Sequence, residues 1–211
     1  MSPAAGPRSP GGRQLPSWAP GQRISLFGGS FNPPHDGHRL VSTTALRRLA
    51  LDRVWWVVTP GNPLKRHDGL ADLDTRIAAA RAVADHPAIA VTGLEAGIDM
   101  RYTVDTVRYL QRRCPGVRFV WIMGADNLLQ LPRWRRWRDL VERVPVAVVD
   151  RPGSTLRSLN GRAAAVLAPG RLRESEAHLL PDRRPPAFVY LHGPRSSASS
   201  TALRDAGRGL M

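Results

Sequence analysis

The chain has 211 residues, 42% of them hydrophobic, and a formal net charge of +14. That length suits one ordinary domain with a full core, and no stretch approaches the roughly 20 apolar residues of a membrane span. The lone Cys114 excludes an internal disulfide and any cysteine-cluster metal site.

Residues 1–22, Met1 to Gln22, are rich in Pro, Gly and Ser and contain no apolar signal core, so they read as a disordered tail ahead of a single domain over 23–211. From there, short apolar runs alternate with helical patterns. Strands are expected at Ile24–Phe27, Val54–Thr59, Ile89–Thr92, Val117–Met123, Val146–Val149 and Ala187–Leu191, all continuous runs of the kind covered on both faces. Helices are expected near 38–50, 72–85, 103–113 and 125–143. In the first, Val41, Ala45 and Leu49 recur at i, i+4 and i+8 and can pack on a sheet. Ala163–Leu167 reads as a further strand and Leu180–Pro186 as a surface loop. The alternation argues for an α/β domain with a mainly parallel sheet.

The most informative stretch is Gly28-Gly29-Ser30-Phe31-Asn32-Pro33-Pro34-His35-Asp36-Gly37-His38, between the first strand and the first helix. A glycine turn, a helix start and two imidazoles at one junction offer a phosphate backbone N–H groups, a favourable dipole and ring donors together. Thr59–Lys65 follows the second strand and Gly124–Asp126 the fourth. Ligands of open α/β sheets bind beyond the carboxyl ends of the strands, so all three segments point to one crevice.

His35-Asp36-Gly37-His38 resembles the T/HxGH signature of the nucleotidylyltransferase superfamily, and the longer Gly-Gly-Ser-Phe-Asn-Pro-Pro-His-x-Gly-His form resembles its nicotinate mononucleotide adenylyltransferase branch. Further segments are similar to that branch: Pro60-Gly61-Asn62-Pro63-Leu64-Lys65, Arg101-Tyr102-Thr103-Val104-Asp105-Thr106, Trp121-Ile122-Met123-Gly124-Ala125-Asp126, Leu131-Pro132-Arg133-Trp134, Asp150-Arg151-Pro152-Gly153 and Ala198-Ser199-Ser200-Thr201-Ala202-Leu203-Arg204. Ala198 stands where the family often has Ile. The resemblance spans roughly residues 24–206 and implies a Rossmann-like, doubly wound fold of nucleotidylyltransferase type.

The resemblance also implies a division of labour. His38, His35 and Arg204 would be catalytic, and Gly28, Gly29, Ser30, Phe31, Gly124, Asp126, Ser199, Ser200 and Thr201 would join them in holding ATP. Asn32, Lys65, Tyr102, Thr103, Trp134 and Arg151 would hold the mononucleotide, with Trp134 stacked on the pyridine ring. Ser200 or Thr201 can cap a helix whose N–H groups face the triphosphate, and Arg204 can pair with its outer oxygens. Mg²⁺ is expected to arrive with ATP, since no dense carboxylate cluster offers a protein cage. Nicotinamide mononucleotide and phosphopantetheine stand as alternative acceptors. The Arg133–Arg138 segment, with Trp134 and Trp137 interleaved, motivates a more distant rival, a non-enzymatic nucleic-acid-binding protein. A reducing cytoplasm is the simplest setting for a single free thiol.

Overall fold

The computed structural model describes residues 13–61, 70–100, 102–150, 158–193, 200, 203, 207, 209 and 210. Six strands lie side by side: β1 (Arg23–Gly29), β2 (Arg53–Val58), β3 (Ile89–Thr92), β4 (Arg118–Gly124), β5 (Val146–Val149) and β6 (Phe188–Leu191). Their order is β3-β2-β1-β4-β5-β6, and every pairing is parallel. The expected α/β class is the observed one, and strand bounds differ from expectation by at most two residues.

The period of two along each strand explains why the sheet is covered twice. On β2, Trp55 and Val57 enter one core while Val54, Trp56 and Val58 enter the other. On β4, Phe119, Trp121 and Met123 share the core of Trp55, whereas Val120 and Ile122 lie with Trp56. Helix α1 (Asp36–Arg48) and α2 (Leu73–Ala84) cover the Trp56 face. Their apolar stripes are Val41, Ala45 and Leu49, and Ile77, Ala80 and Ala84. A short turn α3 (Leu94–Gly97), α4 (Thr103–Arg113), α5 (Ala125–Gln130), α6 (Trp137–Val141) and α7 (Arg162–Leu167) cover the Trp55 face.

Four expectations need correction. Ala163–Leu167 is not a strand but most of α7, whose Ala163, Ala164 and Leu167 are buried at helical spacing. Alanine and leucine favour a helix there over the extended form. The long helix expected over 125–143 is broken into α5, a 3₁₀ turn at Leu131–Arg133, and α6. Pro132 has no N–H to continue the ladder, and Arg136 takes a left-handed φ of 54°. Leu180–Pro186 is only partly a surface loop, because Leu180 and Pro181 are buried within a 3₁₀ segment, Glu174–Asp182. Lastly, residues 13–22 lie against the domain instead of trailing free. Leu15 and Trp18 pack on the core, Thr92 Oγ1 donates to Gln14 O at 2.6 Å, and Gly21 N–H donates to Gly116 O at 2.9 Å.

Candidate active site

The site begins where β1 ends. Gly28 is required by packing: a Cβ there would lie 2.6 Å from the Trp121 ring of the neighbouring strand. Past Gly29 the chain turns at Phe31, whose φ of 47° is left-handed. The Phe31 ring stacks on Trp56 at 4.9 Å and 14°, with His38 against it at 4.8 Å. Pro34 and His35 then lead into α1, with His35 in the extended conformation of an N-cap.

His35 and His38 lie one turn apart, and their rings are 3.9 Å from centroid to centroid. The His35 backbone N–H donates to His38 Nδ1 at 3.2 Å. A ring nitrogen that accepts leaves the other to carry the proton, so His38 Nε2 is the donating nitrogen in the neutral ring. The backbone is held as well. Ser42 Oγ donates to the His38 carbonyl at 2.9 Å and accepts from Trp56 Nε1 at 2.7 Å. His38 is therefore a ring donor on a braced support, as stabilisation of developing phosphate charge requires.

The other face of the same edge supplies aromatic surface. Trp121, beneath Gly28, meets Trp134 edge-to-face at 6.1 Å. Trp134 is half-buried, and the buried neighbour Trp137 carries Arg138 on its ring at 4.8 Å. Tyr102 is the extended N-cap of α4, so Thr103 opens the helix where backbone N–H groups lack intrahelical carbonyls. Arg135 lies over the Tyr102 ring at 5.0 Å. Gly124 ends β4 as the N-cap of α5, and Asp126 is in that helix's first turn.

Ser200 closes on this loop from far along the chain. Ser200 Oγ donates to the Pro33 carbonyl at 2.8 Å, joining the C-terminal segment to the glycine-rich loop. Of the remaining expected site residues, Lys65, Arg151, Ser199, Thr201 and Arg204 lie outside the described residues. Asn32 is buried in the loop between Phe31 and the histidines. The structure thus brings Gly28, Gly29, Ser30, Phe31, Asn32, His35, His38 and Ser200 together, with Trp134 reached through Trp121.

Two buried charges escaped the sequence reading. Arg76 on α2 is 1% exposed, and its guanidinium is bonded to main-chain carbonyls. The available signal was a charged residue set beside Ile77, Ala80 and Ala84 in an apolar stripe. Glu95 on α3 is buried under the approach to Tyr102, where it accepts from Thr106 Oγ1 at 2.7 Å, while its own carbonyl accepts from Met100 N–H at 2.9 Å. Nothing in its local pattern marked it.

A strictly parallel six-stranded sheet in this order, with an HxGH pair at the end of its first strand, defines a nucleotidyltransferase-type α/β domain. A cytidylyltransferase-like family model matches residues 26–206. A Methylorubrum extorquens (strain PA1) protein named "Probable nicotinate-nucleotide adenylyltransferase" is 60% identical over 182 residues, covering 86% of this chain and 98% of that one. A Brucella suis biovar 1 protein of the same name is 54% identical over 181 residues, covering 86% and 93%. Among solved structures, Plasmodium falciparum nicotinic acid mononucleotide adenylyltransferase complexed with NaAD shares the fold. Its TM-score is 0.65 at 18% identity, over 87% of this chain and 83% of that one. The chain belongs to the nicotinate-nucleotide adenylyltransferase family.

Burial raises the Glu95 carboxyl to about 7, with the Thr106 hydrogen bond pulling the other way. The folded chain therefore keeps a proton that an unfolded Glu, with a pKa of about 4.3, has lost. Stability falls as pH rises through that window, on the order of 1 kcal/mol per pH unit, and levels off above it. Glu95→Gln should flatten this slope and exceed the parent in stability at about pH 8, as urea unfolding at about pH 5 and 8 will measure.

Proposed function

We propose that this chain transfers the adenylyl group of ATP to nicotinate mononucleotide, giving nicotinate adenine dinucleotide and pyrophosphate, a step of pyridine nucleotide biosynthesis. The observation that carries the reading is the His35–His38 pair, with His38 Nδ1 held by a backbone N–H and its support braced by Ser42 and Trp56.

In this reading a 5′-phosphate oxygen of the mononucleotide forms the new bond to the α-phosphorus. The bond from that phosphorus to the bridging oxygen breaks, and the electron pair leaves with pyrophosphate. No side chain acts as nucleophile, so the protein's task is alignment and charge stabilisation. His38 Nε2 donates to the α-phosphate as charge gathers on its oxygens, and His35 holds neighbouring oxygens. Gly28 to Phe31 cradle the triphosphate, and Gly124 and Asp126 receive the adenosine side. Ser199, Ser200, Thr201 and Arg204 close on the outer phosphates. The Ser200 hydrogen bond to Pro33 supports that closure, because it already ties this segment to the cradle.

The mononucleotide falls to Asn32, Lys65, Tyr102, Thr103, Trp134 and Arg151. The start of α4 favours an anion such as the pyridine carboxylate, which supports the acid over the amide as acceptor. Among the described residues no three His, Cys, Asp or Glu side chains form a group that could hold a metal ion. We assign Mg²⁺, delivered on the phosphates of ATP, as the cation of the reaction. Cys114 is a free thiol, which suits a reducing compartment, and we place the reaction in the cytoplasm.

The test is pyrophosphate release from ATP with nicotinate mononucleotide, nicotinamide mononucleotide and phosphopantetheine in parallel. Release with the first acceptor well above the other two is expected, and equal or greater release with either alternative overturns the assignment. His38→Ala should lower kcat by about 10²–10³-fold, the loss typical of one transition-state donor. Circular dichroism should show the fold retained. Trp134→Ala should raise KM for the mononucleotide about tenfold or more while moving KM for ATP little, the loss of a stacking contact worth about 1–3 kcal/mol. Steady-state kinetics with each substrate varied will read both.

A further inference from the structure

Arg76 is the most deeply buried charged side chain among the described residues, 1% exposed. Its four hydrogen bonds all run to main-chain carbonyls. Nε donates to Ala71 O at 2.8 Å, Nη1 to Ser30 O at 2.9 Å and Thr59 O at 2.7 Å, and Nη2 to Pro60 O at 3.1 Å. Those acceptors belong to three separate pieces of chain: the loop after β1, the loop after β2, and the lead into α2. A guanidinium spans them because its donors form a rigid planar fork, which a lysine ammonium cannot reproduce.

The acceptor on the first loop matters most. Ser30 immediately precedes Phe31, whose left-handed φ of 47° is unfavourable for a non-glycine residue. Such a conformation persists only where its surroundings over-determine it. Two contacts do so here, the Phe31 ring stacked on Trp56 and the Ser30 carbonyl held by Arg76. In a trans peptide unit the C=O and the following N–H point in opposite directions. Anchoring the Ser30 carbonyl therefore also fixes the direction of the Phe31 N–H. The Phe31 ring in turn packs against His38 at 4.8 Å, so the setting of the loop reaches the imidazole.

We propose that Arg76 is a positioning residue: by drawing the Ser30 carbonyl toward those of Thr59 and Pro60, it sets the glycine-rich loop and the His35–His38 pair in the geometry that transfer requires. The inference rests on the function proposed above. It assigns Arg76 no contact with substrate. It acts through Ser30 and Phe31, and it registers the β1 loop against the β2 loop that leads toward Lys65.

The test uses the full chain with Arg76→Lys and Arg76→Met. The folded fraction is measured by circular dichroism, initial rates with ATP and nicotinate mononucleotide, and ATP affinity by calorimetry. Misplacement by about 1 Å can cost about 10²-fold in rate. The expected result is a folded Arg76→Lys whose kcat per folded molecule is down about tenfold or more, with ATP affinity weakened about fivefold or more and Arg76→Met worse on both counts. A purely structural Arg76 would lower the folded fraction and leave these per-molecule values unmoved. A folded variant with kcat and ATP affinity within about twofold of the parent overturns the proposal, as does failure of both variants to fold. Should the parent itself make no dinucleotide, the functional reading fails separately, and unchanged ATP affinity in the folded variants still overturns the role of Arg76.

Discussion

Strand β1 pairs with β2 on one side and β4 on the other, and the chain leaves the two central strands in opposite directions. After β1 it enters α1 on the Trp56 face, and after β4 it enters α5 on the Trp55 face. Two loops that part in this way leave a crevice between them at the carboxyl edge of the sheet, with helix starts turned toward it. Every site feature follows from that parting. The histidine pair stands on one side, the Trp121–Trp134 pair on the other, and Gly28 between them at the point where the Trp121 ring leaves no room for a Cβ.

The crevice needs stiff walls, and the walls are stiffened by polar groups that the core would otherwise reject. A buried charge is tolerated when it is thoroughly hydrogen-bonded. Arg76 meets that condition with four carbonyls, whereas Glu95 avoids it in part: burial raises its carboxyl to about 7, and Thr106 donates to it. Both sit under loops rather than inside the layered packing. Arg76 underlies the loops after β1 and β2, while Glu95 underlies the approach to Tyr102. Trp56 instead braces the first turns of α1 with one indole N–H, passed through Ser42 to the His38 carbonyl.

Part of the positive charge is engaged locally, around the aromatic side of the crevice. Around α4 and α6, Arg108 and Arg136 share Asp105 and Asp139 at 2.6 to 3.6 Å. These pairs are partly exposed and contribute up to about 1 kcal/mol each. Arg135 and Arg138 lie on the rings of Tyr102 and Trp137. Arg135, Arg136 and Arg138 of the basic segment thus lie on acids and aromatic rings beside Trp134.

The layered α/β class, the six strand positions and the junction that carries the histidines are all legible in the amino-acid sequence. Continuous apolar runs and a glycine turn before a helix are local patterns, and local patterns survive in one dimension. The sequence failed where its short-range signals are ambiguous. Ala163–Leu167 carries an apolar run compatible with either a strand or a helix, and the helix preference of its alanines together with its place against the sheet made it a helix. Pro132 was visible, yet the left-handed turn at Arg136 was not. The tertiary structure alone decided which side chains act together. Ser200 reaches Pro33 across 167 residues, and Arg76 reaches Ser30 across 46. Such contacts leave no periodic trace, because a single guanidinium or hydroxyl answering a distant carbonyl depends on how the strands are ordered and not on the residues beside it.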